Sequence, residues 1–80
     1  MELSQIMEKL DEIFQDVFDD PDIHLTEETT AADIEGWDSL MNINIIVSVE
    51  DEFDMKFAME EITGIKNVGE MAKVIQERVG

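Results

Sequence analysis

The run Asp38-Ser39-Leu40-Met41-Asn42-Ile43-Asn44-Ile45-Ile46-Val47-Ser48-Val49-Glu50-Asp51-Glu52-Phe53-Asp54 decides the architecture. Asp38 is a good helix N-cap and Ser39 a good first-turn residue, so a helix is expected over residues 39 to 53. At about 100° per residue, Asn42, Ile45, Ile46, Val49 and Phe53 fall in one sector, which is assigned to a core. A second stripe, centred about 130° away, holds Leu40, Ile43, Val47, Asp51 and Asp54, with Glu50 at its edge. Its first half is apolar and its second half acidic. A face that only met water would have no use for Leu, Ile and Val there, and by helical geometry Glu50, Asp51 and Asp54 are expected to be exposed.

The flanks supply partners for the core sector. Upstream, Leu3, Ile6, Met7, Leu10, Ile13, Phe14, Val17 and Phe18 follow the i, i+3, i+4, i+7 spacing of one face of a helix over residues 2 to 19. Pro21 limits it, because the residue before a proline avoids helical geometry. Asp19 and Asp20 oppose the macrodipole, so this end is expected to fray. Residues 20 to 38 show no period and form a long connection, of the kind that is functional or mobile. Ile23, Leu25 and Ile34 can pin it, and a helical turn is expected near Ala31 to Ile34. Downstream, residues 56 to 66 read as a linker with a short helix from Met59 to Ile65, turning Phe57, Ile62 and Ile65 inward. Asn67-Val68-Gly69-Glu70 is a capping box, and Val68, Met71, Ala72, Val74, Ile75 and Val79 give a last helix over about 68 to 79. The fold class is all-α, a small bundle of three main helices plus one short one, in a single domain over residues 1–80.

Composition narrows the function. The 80 residues carry 21 acids and five bases, a net charge of −16. Phosphates attract lysine and arginine, which argues against a nucleic-acid binder, and the same sign repels an anionic membrane surface. Partners with basic patches are the complement. Self-repulsion should cost stability in a domain that buries only about 60% of its unfolded surface. With 44% hydrophobic residues the chain can still build a core. It has no cysteine, which excludes a disulfide framework, a thiolate metal site and a cysteine nucleophile, and fits a reducing, cytoplasmic setting. The start, Met1-Glu2-Leu3-Ser4, with Met1 read as the initiator, lacks the basic run of a signal peptide, and no stretch approaches the ~20 apolar residues of a membrane helix.

Gly36-Trp37-Asp38-Ser39-Leu40 is the best place for chemistry. A serine at a helix start after a long loop is exposed, and an anion on its oxygen would lie near free backbone N–H groups and the positive end of the helix dipole. The site suits a phosphorylated or phosphodiester-bearing serine. On spacing alone a plain helix start is the more ordinary reading, since Ser and Asp are the commonest caps. A hydrolase triad is a poor reading, because the one histidine, His24, sits in the loop and nothing brings it to Ser39. An EF-hand fails too, as neither Asp16–Asp22 nor Glu50–Asp54 has the required glycine, so no metal site is assigned. Trp37 is read as a loop anchor that half-buries its ring. The six methionines are read as core filler, Met41 beside Ser39 being the one that invites a functional role.

With these residues in place, the chain resembles an acyl carrier protein over nearly all its length. The resemblance is carried by Asp38-Ser39-Leu40 at the second helix, the Val49-Glu50-Asp51-Glu52-Phe53-Asp54 run and the closing Ile65-Lys66-Asn67-Val68-Gly69-Glu70. It implies that Ser39 carries 4′-phosphopantetheine through a phosphodiester, donated by coenzyme A through a separate phosphopantetheinyl transferase. It implies that the arm's thiol holds acyl groups as thioesters, and that the protein is a carrier and not an enzyme. Asp38 is similar to the family residue that assists the transferase. Leu40, Met41, Ile43, Val47, Glu50, Asp51 and Asp54 correspond to the helix face that recognises acyl-loading and acyl-processing enzymes. The inward sector can line the space where some carriers shelter the acyl chain.

Fatty-acid-synthesis carriers typically have Ala before the Asp and an acid after the Leu, where this chain has Trp37 and Met41. A further family acid is replaced by Asn44. Gly-Trp-Asp-Ser-Leu looks more like carriers of specialised pathways, including polyketide, nonribosomal-peptide and modified-lipid assembly. A methionine start and a closing helix suggest a discrete carrier in preference to an excised synthase domain, and it is expected to be a monomer. The alternative is an acidic helical interaction module with no prosthetic group, using Ser39 only as a cap.

Overall fold

The computed structural model describes residues 2–79, so Met1, read as an initiator, and Gly80, the end of the expected domain, lie outside it. Four helices follow in order: α1 (Leu3–Phe18), α2 (Ser39–Phe53), α3 (Met59–Gly64) and α4 (Val68–Val79), with a single 3₁₀ turn at Ala31–Asp33 in the first connection. No strand occurs among the described residues. The all-α architecture, three main helices plus a short one, is the one the periodicities require.

Helix α1 is the spine, packing on both α2 and α4. Its Ile6, Leu10 and Phe14 are fully buried and meet Ile45 and Val49 of α2 and Val68, Met71, Ala72 and Ile75 of α4. Leu25, Met55 and Phe57 close the core from the connections. Burying a side chain of this size contributes about 1.5–3 kcal/mol, so these contacts outweigh any propensity effect in holding the helices.

The end of α1, where fraying is expected, is closed by backbone hydrogen bonds. Asp19 adopts a left-handed conformation (φ 52°), its N–H donating to Asp16 O, and Asp20 N–H donates to Gln15 O at 3.0 Å. That is a Schellman closure with Asp where glycine usually stands. Asp54 ends α2 in the same left-handed conformation (φ 52°), with its own N–H and that of Met55 (3.2 Å) both donating to Glu50 O. The orphan carbonyls are met locally, which outweighs the unfavourable charge. Asp19→Gly should therefore stabilise: it relieves the left-handed strain and a misplaced charge, against glycine's greater unfolded-state freedom. A net gain of about 0.5 kcal/mol, or roughly 2–4 °C, is expected by thermal circular dichroism. A lower melting temperature would show that Asp19 is needed as it is.

The long connection is tied down. Leu25 N–H donates to Asp11 Oδ1 at 2.8 Å, and Gln15 Nε2 to Ile23 O at 2.9 Å. Val68 N–H and Gly69 N–H, the first two of α4, donate to Thr29 O (2.8 Å) and Glu27 O (2.9 Å). The Asn67 cap forms as expected, accepting from Glu70 N–H at 2.9 Å, but the glutamate reaches one residue further back, to Lys66 N–H at 2.9 Å. Arg78 of α4 holds α3 by donating to Glu61. That contact, and then the Ala58 N–H, keep the Glu61 carboxyl below the usual carboxylate range.

Candidate functional site

Ser39 is the first residue of α2, and it is exposed. The helix starts there because Asp38, in extended conformation, caps it: Oδ1 accepts from Met41 N–H at 2.9 Å and the Asp38 carbonyl accepts from Asn42 N–H at 2.9 Å. That leaves the N–H groups of Ser39 and Leu40, which helical geometry provides with no internal acceptor, facing out along the axis beside the serine hydroxyl. The chain enters through Gly36 (φ 89°), a left-handed turn suited to glycine. Asp38 N–H then donates to Gly36 O at 3.1 Å.

A cleft of about 340 Å³ opens beside the serine, lined by Trp37, Asp38, Ser39, Asn42, Ile65 and Lys66 among others. Trp37 is the anchor its position suggests. It is half-buried, its ring meets Phe14 edge-on (centroids 5.1 Å apart, planes at 80°), and its Nε1–H donates to Asn42 Oδ1 at 3.1 Å. Lys9, Lys56 and Arg78 are engaged in ion pairs elsewhere, whereas Lys66 lines this cleft. The residues present fit a phosphodiester-linked group: an exposed hydroxyl, outward N–H groups at a helix N-terminus, one nearby cation and a cleft to receive an arm.

The second stripe of α2 is largely where helical arithmetic put it. Leu40, Ile43 and Val47 are exposed at 68%, 59% and 51%, a continuous apolar ridge, with Asp51 and Asp54 exposed beyond it. Glu50 departs from the expectation of exposure. It turns inward, its side chain 16% exposed, Oε2 accepting from Phe57 N–H at 2.9 Å and Oε1 lying 3.9 Å from Lys56 Nζ. An unmet N–H beside buried Phe57 would cost about 1–3 kcal/mol, which exceeds what a solvated carboxylate gains. Met41, two residues after Ser39, is half-buried, its sulfur accepting from Asn44 Nδ2 at 3.7 Å. Sequence reasoning placed Asn42 in the core sector and gave Lys66 no role. The structure brings both to the serine.

This geometry has counterparts. The family model for a phosphopantetheine attachment site matches residues 8–75. An acyl carrier protein of Phenylobacterium zucineum is 32% identical over 98% of this chain and 99% of its own, and one of Clostridium perfringens 33% identical over 90% and 95%. A solution NMR structure of holo acyl carrier protein from Geobacter metallireducens matches with a TM-score of 0.85 and 46% identity, over 90% of this chain and 83% of that one. A small helical carrier of a covalent prosthetic arm is the class that fold and site define. The chain belongs to the acyl carrier protein family, which uses 4′-phosphopantetheine and consists of carriers, not enzymes. The reading as an interaction module without a prosthetic group is thereby set aside. As a carrier it works with a phosphopantetheinyl transferase and acyl-processing enzymes.

Proposed function

We propose that residues 1–80 form one carrier domain, monomeric and cytoplasmic, that holds acyl intermediates as thioesters on 4′-phosphopantetheine attached to Ser39 Oγ. The observation that carries the assignment is the exposed Ser39 at the first position of α2, capped by Asp38 and open to the cleft. Asp38 Oδ1 is engaged in the cap, so its other oxygen is the one free to assist the transferase, for instance by helping to hold its metal ion. Lys66 and the outward N–H groups of α2 would offset the phosphodiester charge. When bound, the arm supplies the thiol that the chain itself lacks. Peptide mapping after incubation with coenzyme A and a broad-specificity transferase tests the reading: the phosphopantetheine increment should fall on the peptide containing Ser39. An increment on Ser4 or Ser48 refutes it.

The pathway belongs to the same proposal. Trp37, Met41 and Asn44 replace the small and acidic residues of fatty-acid-synthesis carriers and support service in a specialised pathway, polyketide, nonribosomal-peptide or modified-lipid.

We assign partner docking to Leu40, Met41, Ile43, Val47, Asp51 and Asp54, with Glu50 contributing through the linker it holds. Exposed Asp51 and Asp54 act at range on a basic enzyme patch, while the ridge acts on contact. Asp51→Asn with Asp54→Asn should slow association with a partner synthase severalfold at low salt and flatten the salt dependence. Asparagine also tolerates the left-handed position of residue 54. Ile43→Ala with Val47→Ala should instead speed dissociation, by about tenfold for 1.4 kcal/mol of lost contact. Stopped-flow binding across a salt series separates the two. An unchanged salt slope in the acid-to-amide variant would refute steering by this face.

A further inference from the structure

By the resemblance, the inward sector of α2 can line a space for a sheltered acyl chain, and in the structure its apolar members pack into the core. Ile45 and Val49 are 0% exposed and Ile46 5%, and all three belong to the same core cluster as Phe14, Met71 and Ile75. Asn42 is the member of the sector that reaches the cleft beside Ser39. None of the residues lining that cleft is itself buried, so the cleft is a surface feature that stops short of the core.

Trp37 and Asn42, both half-buried in the lining of that cleft, are hydrogen-bonded to each other. We propose that Trp37 and Asn42 form a latch that seals the bundle interior beneath Ser39, so that the acyl group is held in the surface cleft and the carrier is matched to short, polar acyl groups in preference to long alkyl chains. The inference rests on Ser39 as the attachment site. A long chain entering the bundle on this side of the cleft would pass between the indole and the start of α2. That passage would break the 3.1 Å hydrogen bond, leave the Trp37 N–H without its partner in a half-buried place, and lift the ring from Phe14. Closed, the latch presents Asn42, Asn67, Lys66 and Asp38 to whatever occupies the cleft. These groups suit hydroxyl or keto substituents and offer little to methylenes.

The test loads the full chain with acetyl, 3-hydroxybutyryl or hexadecanoyl arms from the coenzyme A thioesters, using a broad-specificity transferase, with loading confirmed by intact mass. Trp37 is the sole tryptophan, so its emission reports the latch directly. In the parent, the hexadecanoyl form should melt within about 4 °C of the unacylated holo form, a shift worth under about 1 kcal/mol, with Trp37 emission unmoved. In Asn42→Val the latch loses its acceptor, and the hexadecanoyl arm should raise the melting temperature beyond that margin and shift the emission. Trp37→Leu, read by melting alone, gives the same answer should Asn42→Val fold poorly. A parent protein stabilised by the hexadecanoyl arm as strongly as the variants overturns the latch, and so does a failure of both variants to respond. A Ser39 that takes up no arm at all shows as a missing mass increment. That result condemns the attachment assignment, and the latch with it.

Discussion

Ser39→Ala should fold like the parent and take up no phosphopantetheine. The two halves of this expectation have different causes. The Ser39 side chain is exposed and makes no hydrogen bond among the described residues, and the helix start is held by Asp38. Alanine is also the best helix former, so the change in stability should stay within about 0.5 kcal/mol. The loss of modification should be complete, because in the proposed attachment Ser39 Oγ is the acceptor oxygen. Ser48 sits half-buried in mid-helix, and Ser4, though exposed in the first turn of α1, has neither an aspartate cap nor the cleft. Asp38→Asn divides the site further. Asparagine caps as well as aspartate, so the melting temperature should hold while the transfer slows severalfold. Asp38→Ala should lose both, with the cap costing about 1 kcal/mol, or roughly 4–8 °C. Intact mass and thermal circular dichroism on the three variants decide it. Residual uptake by Ser39→Ala would move the attachment elsewhere.

What the sequence showed, and what it hid, follows from the range of each interaction. Helices α1, α2 and α4 were legible because their apolar residues repeat at a period that only a helix puts on one face. The separation of Ile45, Ile46 and Val49 from Leu40, Ile43 and Val47 was legible for the same reason. Local polar chemistry was legible too: the Asp38 and Asn67 caps both form. The hidden features depend on groups far apart in the chain or on backbone conformation. Glu50 was misread because its acceptor role depends on the Phe57 N–H, brought back by the turn after α2. The Lys9–Glu52 ion pair, 3.3 Å long, and the Arg78–Glu61 contact span separations no periodicity encodes. The closure of α1 was missed because an aspartate took a conformation usually left to glycine. Asn42 was placed on the right sector but given the wrong surroundings, since nothing local announced its bond to Trp37.

Gly69 is the sharpest case of such a hidden constraint, and Gly69→Ala should be strongly destabilising. By propensity alone it should help, since alanine in a helix gains up to about 1 kcal/mol over glycine. The packing reverses the sign. A Cβ at residue 69 would lie 2.8 Å from Glu27 O and 2.9 Å from Glu27 Cβ, distances that real Cβ atoms do not keep. Glu27 cannot step aside freely, because its carbonyl accepts the Gly69 N–H at 2.9 Å and Thr29 O accepts the Val68 N–H at 2.8 Å. Relieving the clash therefore strains or breaks the two bonds that satisfy the start of α4 and strap down the connection leading to Ser39. Overpacking of this kind costs about 1–3 kcal/mol, and each lost hydrogen bond about 1 kcal/mol more. Set against the propensity gain, a net loss of about 2–3 kcal/mol remains, a fall of roughly 10–20 °C. An 80-residue domain has only about 4–12 kcal/mol in total, so this loss is a large fraction of the whole. Gly64→Ala is the control, since nothing lies within 4 Å of a Cβ there, and it should be neutral or stabilising. The measurement is thermal unfolding of both variants beside the parent. Equal melting temperatures for the two would show that the connection yields at Glu27, and that α4 does not depend on its carbonyl.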